Sequence, residues 1–377
     1  MNRDYDIAIL GGGLAGLSLL YHLIKQDKLA RRRVQLVDPE GAKGGHDRTW
    51  SFWEREAGPF EEIVEHRWRK VTLHNNRQDV ETDLGEYTYK IIRSPAFYAH
   101  VNAVIDACPN VTRLKGRAEN ITSTDVGVTY RVGEEVYHSP LAFSSLPLHL
   151  RPRQISQPYL DQHFRGWFIE TGQPVFDPAV ATLMDFRTEQ HGETRFLYLL
   201  PLSPTYALVE VAIFSNDHLR AEEYDEILRD YLKGHWTGDY RIDHVEAGNI
   251  PMTTYPFEAR DRNLIYIGMR GGATRPSTGY TFWALQRQLE RMARNFPDVT
   301  TVPAWPRRHV AYDATVLHIL ERQQITGDEL FVDLFAKNPA SRVLAFLNGE
   351  SGLGQELALM GSTRIGVFGP AFVRELF

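Results

Sequence analysis

The 377-residue sequence has a single cysteine, Cys108, which excludes an intrachain disulfide framework and any cysteine-based zinc site of the usual spacing. A reducing, intracellular setting fits that usage. Its 14 histidines include no H-E-x-x-H and no closely spaced pair, so no metal centre is expected. There is no G-x-S-x-G nucleophile elbow. A strong charge of one sign is also missing: Lys plus Arg is 42 against 48 for Asp plus Glu, a net −6, and no nucleic-acid partner is expected. Nor is there an uninterrupted apolar run of bilayer length. Residues from Ile7 to Ile24 approach it, but Gly11, Gly12 and Gly13 interrupt them, and Asp4 and Asp6 precede them where a signal peptide carries positive charge. The stretch from Phe196 to Phe214 is broken by Pro201 and Pro204, which suits a hairpin better than a membrane helix. Internal repeats and low-complexity tracts are absent.

What is present is an ordinary globular composition, 43% hydrophobic and 24% charged, long enough for two to three structural units. Asp6 to Leu10 reads as a strand running into glycines, and Leu14 to Ile24 as a helix with Leu17, Leu20, Tyr21 and Ile24 on one face. Val34 to Asp38 is the next strand, after a solvated arginine turn at Arg31 to Arg33, which completes a βαβ unit. Val71 to Ile92 alternates as strands do. Ser94-Pro95 predicts a helix through Ala107, with Ser94 as N-cap and Pro95 at the first helical position. Further strands are expected at Val111 to Leu114, Val126 to Val132 and Leu141 to Phe143, with a second β-rich region from Phe164 to Ile213. Ala221 to Leu232 and Ser277 to Asn295 read as helices, and short helices are expected around Val316 to Leu320, Leu330 to Phe335 and Val343 to Leu347.

Three stretches carry chemistry. Gly11, Gly13 and Gly16 spell G-x-G-x-x-G between strand and helix, and Asp38 ends the following strand about 20 residues on. Gly11 permits the tight turn, Gly13 lets backbone approach a pyrophosphate, and Gly16 allows close helix packing. The helix N-terminus attracts the anion and Asp38 accepts from a ribose hydroxyl. This is a dinucleotide site, and its place at the start of a long chain favours FAD over NAD. The second stretch is the glycine loop from Gly268 to Phe282, between a strand and a long helix. Either it is an ordinary strand-to-helix turn or it brings backbone close to a ligand, with Gly268, Thr278 and Gly279 as its candidate cofactor contacts. Pro276, Ser277 and Thr278 are good helix-starting residues whose amides would face the flavin pyrimidine edge. The third is Ala207 to Phe214, where alternation puts Glu210 on the same face as Leu208, Ala212 and Phe214. A carboxylate on an apolar face is paired with an arginine, turned to solvent at a sheet edge, or kept neutral by desolvation as a general acid. Trp50, Trp53, Trp167, Phe168 and Trp283 either line an apolar tunnel or pack in the core.

These residues resemble the bacterial lycopene beta-cyclases. Asp6-Ile-Ala-Ile-Leu-Gly-Gly-Gly-Leu-Ala-Gly-Leu17 is similar to the family's N-terminal fingerprint, and Asp47-Arg-Thr-Trp-Ser-Phe-Trp53 to its tryptophan segment. Leu200-Pro-Leu-Ser-Pro204 with Leu208-Val-Glu210 resembles the hairpin bearing the family's essential acid. Gly268-Met-Arg with Arg275-Pro-Ser-Thr-Gly-Tyr280 resembles its late flavin loop. Two departures stand out. Ala142 to Leu146 replaces the Asp-Gly or Thr-Gly pair of many such flavoproteins, and Val211 follows Glu210 where another acid is common, leaving Glu210 the sole acid of that motif. Met269 also stands where FAD hydroxylases usually carry the aspartate of Gly-Asp.

The resemblance implies an α/β fold of the aromatic-hydroxylase type, with a Rossmann-like FAD-binding domain, an inserted β-rich substrate domain and a helical C-terminal part. The expected segments are 1–50, 94–150 and 260–300 for FAD, 51–93 and 151–259 for substrate, and 301–377 for the helices. It implies an isomerase that needs reduced FAD, with NAD(P)H as reductant, and catalyses no net redox change. Glu210 would protonate the linear ends of lycopene and related carotenoids to give the β-rings of γ-carotene and β-carotene. Cytoplasmic placement with peripheral contact to the inner face of the cell membrane follows from a membrane-dissolved substrate. Leu330 to Phe335 either makes that contact or packs against the main domain. A FAD-dependent monooxygenase, another carotenoid-modifying flavoenzyme and a noncatalytic flavin-binding protein are the alternatives.

Overall fold

A computed structural model describes residues 4–45, 48–150, 155–236, 238–299 and 301–376. Asp47, which opens the tryptophan segment, lies outside the described residues.

The apolar strand Ile7–Leu10 is central to a six-stranded sheet. Its order is Arg260–Asp261, Leu264–Tyr266, Leu141–Ser144, Ile7–Leu10, Val34–Asp38, Val111–Lys115, parallel throughout except at the first strand. Both faces are covered, which is why these strands read as continuous apolar runs. One face packs Ile7, Ile9, Leu36 and Phe143 against helices Leu14–Lys25, Ser94–Asp106 and Phe282–Asn295. The other packs Ala8, Leu10 and Val37 against Val128, Tyr130 and Val132 of a three-stranded antiparallel sheet. Two strands of that small sheet, Ala118–Thr124 and Glu135–Ser139, are absent from the sequence reading because their alternation is mostly polar.

A seven-stranded sheet forms the other large layer, in the order Tyr240–Thr253, Tyr159–Thr171, Tyr206–Ser215, Thr194–Ser203, Val180–Asp185, Lys70–His74, Asp79–Asp83. Alternation divides its strands cleanly. Trp167, Val209, Val211 and Ile213 meet Tyr224, Leu228 and Tyr231 of helix Ala221–His235 on one face. Phe168, Leu208, Ala212 and Phe214 meet the C-terminal helices on the other. Those are Arg307–Glu321, Gly327–Lys337, Ala340–Leu347, Leu353–Gly361 and Ile365–Leu376. The hairpin expected from Pro201 and Pro204 is present, turning at Pro204-Thr205. A fourth sheet, Thr49–Glu54 with Thr88–Arg93 and His66–Trp68, completes the strands among the described residues.

Two helix starts differ from expectation. Ser94 is the first helical residue and Arg93 the cap, because the Ser94 hydroxyl is engaged elsewhere. It donates to Gly45 O at 3.1 Å and accepts from Arg48 N at 3.1 Å, holding the preceding loop instead of a helix amide. The late helix begins at Phe282 and not at Ser277. Gly279 adopts φ +73°, Arg275 N donates to Tyr280 O at 2.8 Å and Gly279 N to Arg275 O at 2.9 Å, so residues 275–280 close into a loop of their own. The amides of Pro276 to Thr278 therefore do not form a helix N-terminus, and Pro276 has no amide hydrogen to offer.

Candidate functional site

The first glycine turn is built as its spacing demands. Gly11 has φ +109° and its amide donates to Val37 O at 2.9 Å. A Cβ on Gly16 would stand 2.0 Å from Gly11 O, so helix and strand touch only because that side chain is missing. A Cβ on Gly13 would meet nothing within 4 Å. The open space lies at the N-terminal end of helix Leu14–Lys25, where backbone amides and dipole favour an anion. Asp38 is buried with Oδ2 accepting from Gly12 N at 2.8 Å and Oδ1 from Glu40 N at 2.9 Å. A carboxylate has lone pairs beyond these two bonds for a ribose hydroxyl. Such a cradle fits a dinucleotide.

The second loop closes over the first. Gly268 has φ +69°, and a Cβ there would come within 2.8 Å of Ala15 Cβ. A Cβ on Gly279 would stand 2.3 Å from Gln162 Oε1. Thr278 Oγ1 and Gln162 Oε1 are buried without a hydrogen-bond partner among the described residues. Buried polar atoms are seldom left so, and both residues line one cavity of about 370 Å³ with Gly13, Ala15, Ser145, Gly268 and Gly279. The orphaned oxygens and the open Gly13 together suit a polar, ring-bearing ligand.

Glu210 lines that same cavity. Neither a sheet edge nor an arginine explains it: its strand is internal, between Tyr159–Thr171 and Thr194–Ser203, and its carboxyl contacts that of Glu246. Burial, then the charge of Glu246 and a hydrogen bond to it, push the Glu210 carboxyl well above the usual range. Glu246 is pushed up more gently. Burial raises it, but the Thr49 hydroxyl donates to its Oε2 at 2.7 Å and the Arg48 charge favours its anion.

Tyr89, Tyr198 and Tyr280 wall the cavity beside Glu210. Their phenols are driven well above their ordinary range by burial and by one another, and remain neutral. The ring of Tyr280 meets that of Trp53 edge-on, centroids 4.4 Å apart. Of the five aromatics considered as tunnel lining, only Trp50 reaches this cavity. Trp53 donates to Leu344 O, Trp167 lies on the opposite sheet face bonded to Asp225, Phe168 is core, and Trp283 stacks under Arg287.

Sequence reasoning missed Glu246, Tyr89 and Tyr198, and gave Arg275 and Tyr280 no role beyond their place in the late flavin loop. Arg275 is fully buried, 2.8 Å from Asp313 Oδ2, and lies over Trp305 at 4.9 Å. Asp313 also accepts from Ser277 Oγ at 2.7 Å, so the second loop is pinned to helix Arg307–Glu321 by a sealed ion pair. A usable signal for Glu246 did exist. Gly166 stands alone inside the strand Phe164-Arg-Gly-Trp-Phe168, and an isolated strand glycine marks close approach by something else.

The two sheets, the glycine cradle at the ends of parallel strands and the cavity between them define a Rossmann-like FAD-binding fold of the aromatic-hydroxylase type. A flavoprotein/dehydrogenase from Cytophaga hutchinsonii shares it, with TM-score 0.65 and 12% identity, covering 99% of this chain and 99% of that one. So does p-nitrophenol 4-monooxygenase from Pseudomonas putida, with TM-score 0.60 and 15% identity, covering 99% of this chain and 98% of that one. Within that class the chain belongs to the lycopene cyclase family, whose "Lycopene cyclase protein" model matches residues 6–368. It is also similar to the lycopene beta-cyclase of Pantoea ananas, 24% identical over 299 residues that cover 74% of this chain and 72% of that protein.

Proposed function

We propose that the protein is a FAD-dependent lycopene beta-cyclase, an isomerase that converts linear carotenoid ends to β-rings. The observation that carries this reading is Glu210, a carboxyl kept protonated by burial and aimed into a cavity walled by aromatic rings. A general acid for an alkene must hold its proton at neutral pH, release it at contact distance and meet no water. Glu210 would give its proton to the terminal double bond, leaving a tertiary carbocation that the neighbouring alkene attacks. Loss of a ring proton completes the β-ring. The faces of Tyr89, Tyr198, Tyr280 and Trp50 are electron-rich and would stabilise the passing cation.

Gly11, Gly13, Gly16 and Asp38 would hold the FAD pyrophosphate and ribose, and Gly268, Thr278 and Gly279 its ring end. Held there in the reduced form, with NAD(P)H as reductant, the flavin would supply negative charge to offset that of the cation. The fit rests on the open space at Gly13 and the orphaned Thr278 and Gln162 oxygens.

Lycopene dissolves in membranes, so the enzyme must reach a bilayer surface. Among the described residues no helix is long and apolar enough to cross one. Leu330 to Phe335 is not the contact: Leu330, Phe331, Val332 and Phe335 are core. Leu353, Leu357, Ile365 and Val373 are instead 65%, 69%, 65% and 54% exposed on the last two helices, and peripheral contact is assigned to them.

Expression in cells that accumulate lycopene, followed by pigment chromatography, tests the function. The wild-type chain should yield γ-carotene and β-carotene, and Glu210→Gln should leave lycopene. Unchanged lycopene with the flavin-loaded wild-type protein would overturn the reading.

A further inference from the structure

Resting on the reading of Glu210 as the acid, we propose that Glu210 and Glu246 act as one unit, two carboxyl groups brought together across the missing side chain of Gly166. They would hold a single proton between them, with Glu246 the anionic partner that keeps the proton on Glu210.

The register carries it. Gly166 pairs with Glu210 on one side and with Glu246 on the other, so the three residues form one row across the sheet. Directly opposed residues on neighbouring strands project to the same face. The two outer positions are two strand spacings apart, roughly 9 to 10 Å, and any side chain at the middle position would stand between them. A Cβ on Gly166 would lie 3.0 Å from Glu210 Oε2 and 3.1 Å from Glu210 Cβ. The Glu210 carboxyl therefore leans over the glycine and reaches Glu246.

The surroundings divide the roles. Glu210 faces Tyr198 of the next strand, directly opposite it, Tyr89 of Thr88–Arg93 and Tyr280 of the second loop, all neutral phenols, together with Glu246. Glu246 faces the Thr49 hydroxyl and the charges of Arg48 and Arg93. Cationic groups thus gather at Glu246, while Glu210 has only neutral phenols besides Glu246 itself. Two like charges in contact cannot both persist in a dry site, so one carboxyl keeps a proton.

The pair then closes the proton cycle. The O–H bond of Glu210 breaks as a C–H bond forms at the chain end, leaving a cation on the substrate and two carboxylates in contact. Their repulsion makes them a strong base. One recovers a proton from the ring as that C–H electron pair becomes the ring double bond, and the pair again holds one proton.

The test uses the FAD-reconstituted full chain. Infrared titration follows the carbonyl stretch of a protonated carboxyl, identified by its loss in Glu210→Gln, and kcat/KM for lycopene is measured against pH. In the wild type the band and the alkaline limb of activity should persist well above the ordinary glutamate range near about 4.3. In Glu246→Gln both should move down together by about one pH unit or more. Gly166→Ala, which keeps both carboxyls and parts them, should move them the same way, and Glu246→Asp should restore much of the wild-type profile. Folded Glu246→Gln and Gly166→Ala proteins with the wild-type titration would overturn the pairing. Absence of cyclised product from the wild type would overturn the cyclase reading instead, while the infrared titration, recorded without substrate, still decides the pair.

Discussion

Arg275 Nε lies 2.8 Å from Asp313 Oδ2 with both side chains sealed from solvent, and this contact fixes the loop that carries Thr278, Gly279 and Tyr280 to the C-terminal helices. Burial pushes the Asp313 carboxyl up, while Arg275 and Ser277 oppose it. Removing one partner strands the other charge in an apolar setting.

Arg275→Met should therefore cost about 3–5 kcal/mol in urea unfolding, with flavin affinity falling as the loop loosens. The double variant Arg275→Met/Asp313→Asn should recover most of that stability. Equal losses in single and double variants would show that the ion pair is not what anchors the loop.

The glycines of the first turn should separate into two kinds. Gly13→Val enters open space, so its circular dichroism and melting temperature should match the wild type while flavin absorbance is lost. Gly16→Val runs into Gly11 O and should unfold the domain. Retained flavin in a folded Gly13→Val protein would remove the pyrophosphate from that position.

Glu210 should carry a stability cost that depends on pH. Its folded-state proton affinity is raised, so above the ordinary glutamate range the folded chain keeps a proton that the unfolded chain releases. Wild-type stability then falls as pH rises from that range toward the raised value. Glu210→Gln lacks this loss, so its melting temperature should exceed the wild type's at pH 8, the gap closing toward pH 4. A gap that is constant with pH would contradict the raised affinity.

Run without oxygen in heavy water on pre-reduced enzyme, cyclisation should place solvent deuterium in the product, up to about one per ring. The flavin should stay reduced over many turnovers. A monooxygenase would stall, and a desaturase would change the flavin's redox state with each double bond. Flavin oxidation in step with product would remove the proton mechanism, whereas product free of deuterium would show that the carboxyl pair hands the recovered ring proton to the next substrate without exchange.

Replacing Leu353, Leu357, Ile365 and Val373 by Gln should reduce co-sedimentation with anionic vesicles and leave the melting temperature nearly unchanged, because these side chains are exposed. Leu330→Ala should do the reverse and cost about 2–5 kcal/mol of stability. Unaltered vesicle binding of the fourfold variant would place the contact elsewhere.

The glycine turn, the Pro-broken hairpin and the face of Glu210 were legible because each is fixed within a few residues: positive φ, missing amides and twofold alternation act locally. Glu246 was not. Its strand, Tyr240–Thr253, mixes polar and apolar residues, and its importance comes from a register through Gly166 that links positions 166, 210 and 246. The start of the late helix was misplaced because Pro276 to Thr278 have good helix-opening chemistry, whereas the left-handed Gly279 and the bond from Arg275 N to Tyr280 O impose a loop. Leu330 to Phe335 and the exposed Leu353 and Leu357 are equally apolar in sequence. Only the packing of the C-terminal helices on the sheet distinguishes them.

The pairing of Ala142 with Leu264 has a consequence for how the chain is made. The parallel sheet begins with Ile7–Leu10 but cannot add Leu264–Tyr266 until every strand of the seven-stranded sheet has emerged between them. During synthesis the N-terminal glycine turn must wait, incompletely roofed, for more than half the polypeptide. Neither layer is a contiguous cassette, so no single stretch of the gene carries all the strands of one layer without strands of the other. Circular permutation, which keeps every strand pair while moving the ends, is the rearrangement this topology can tolerate.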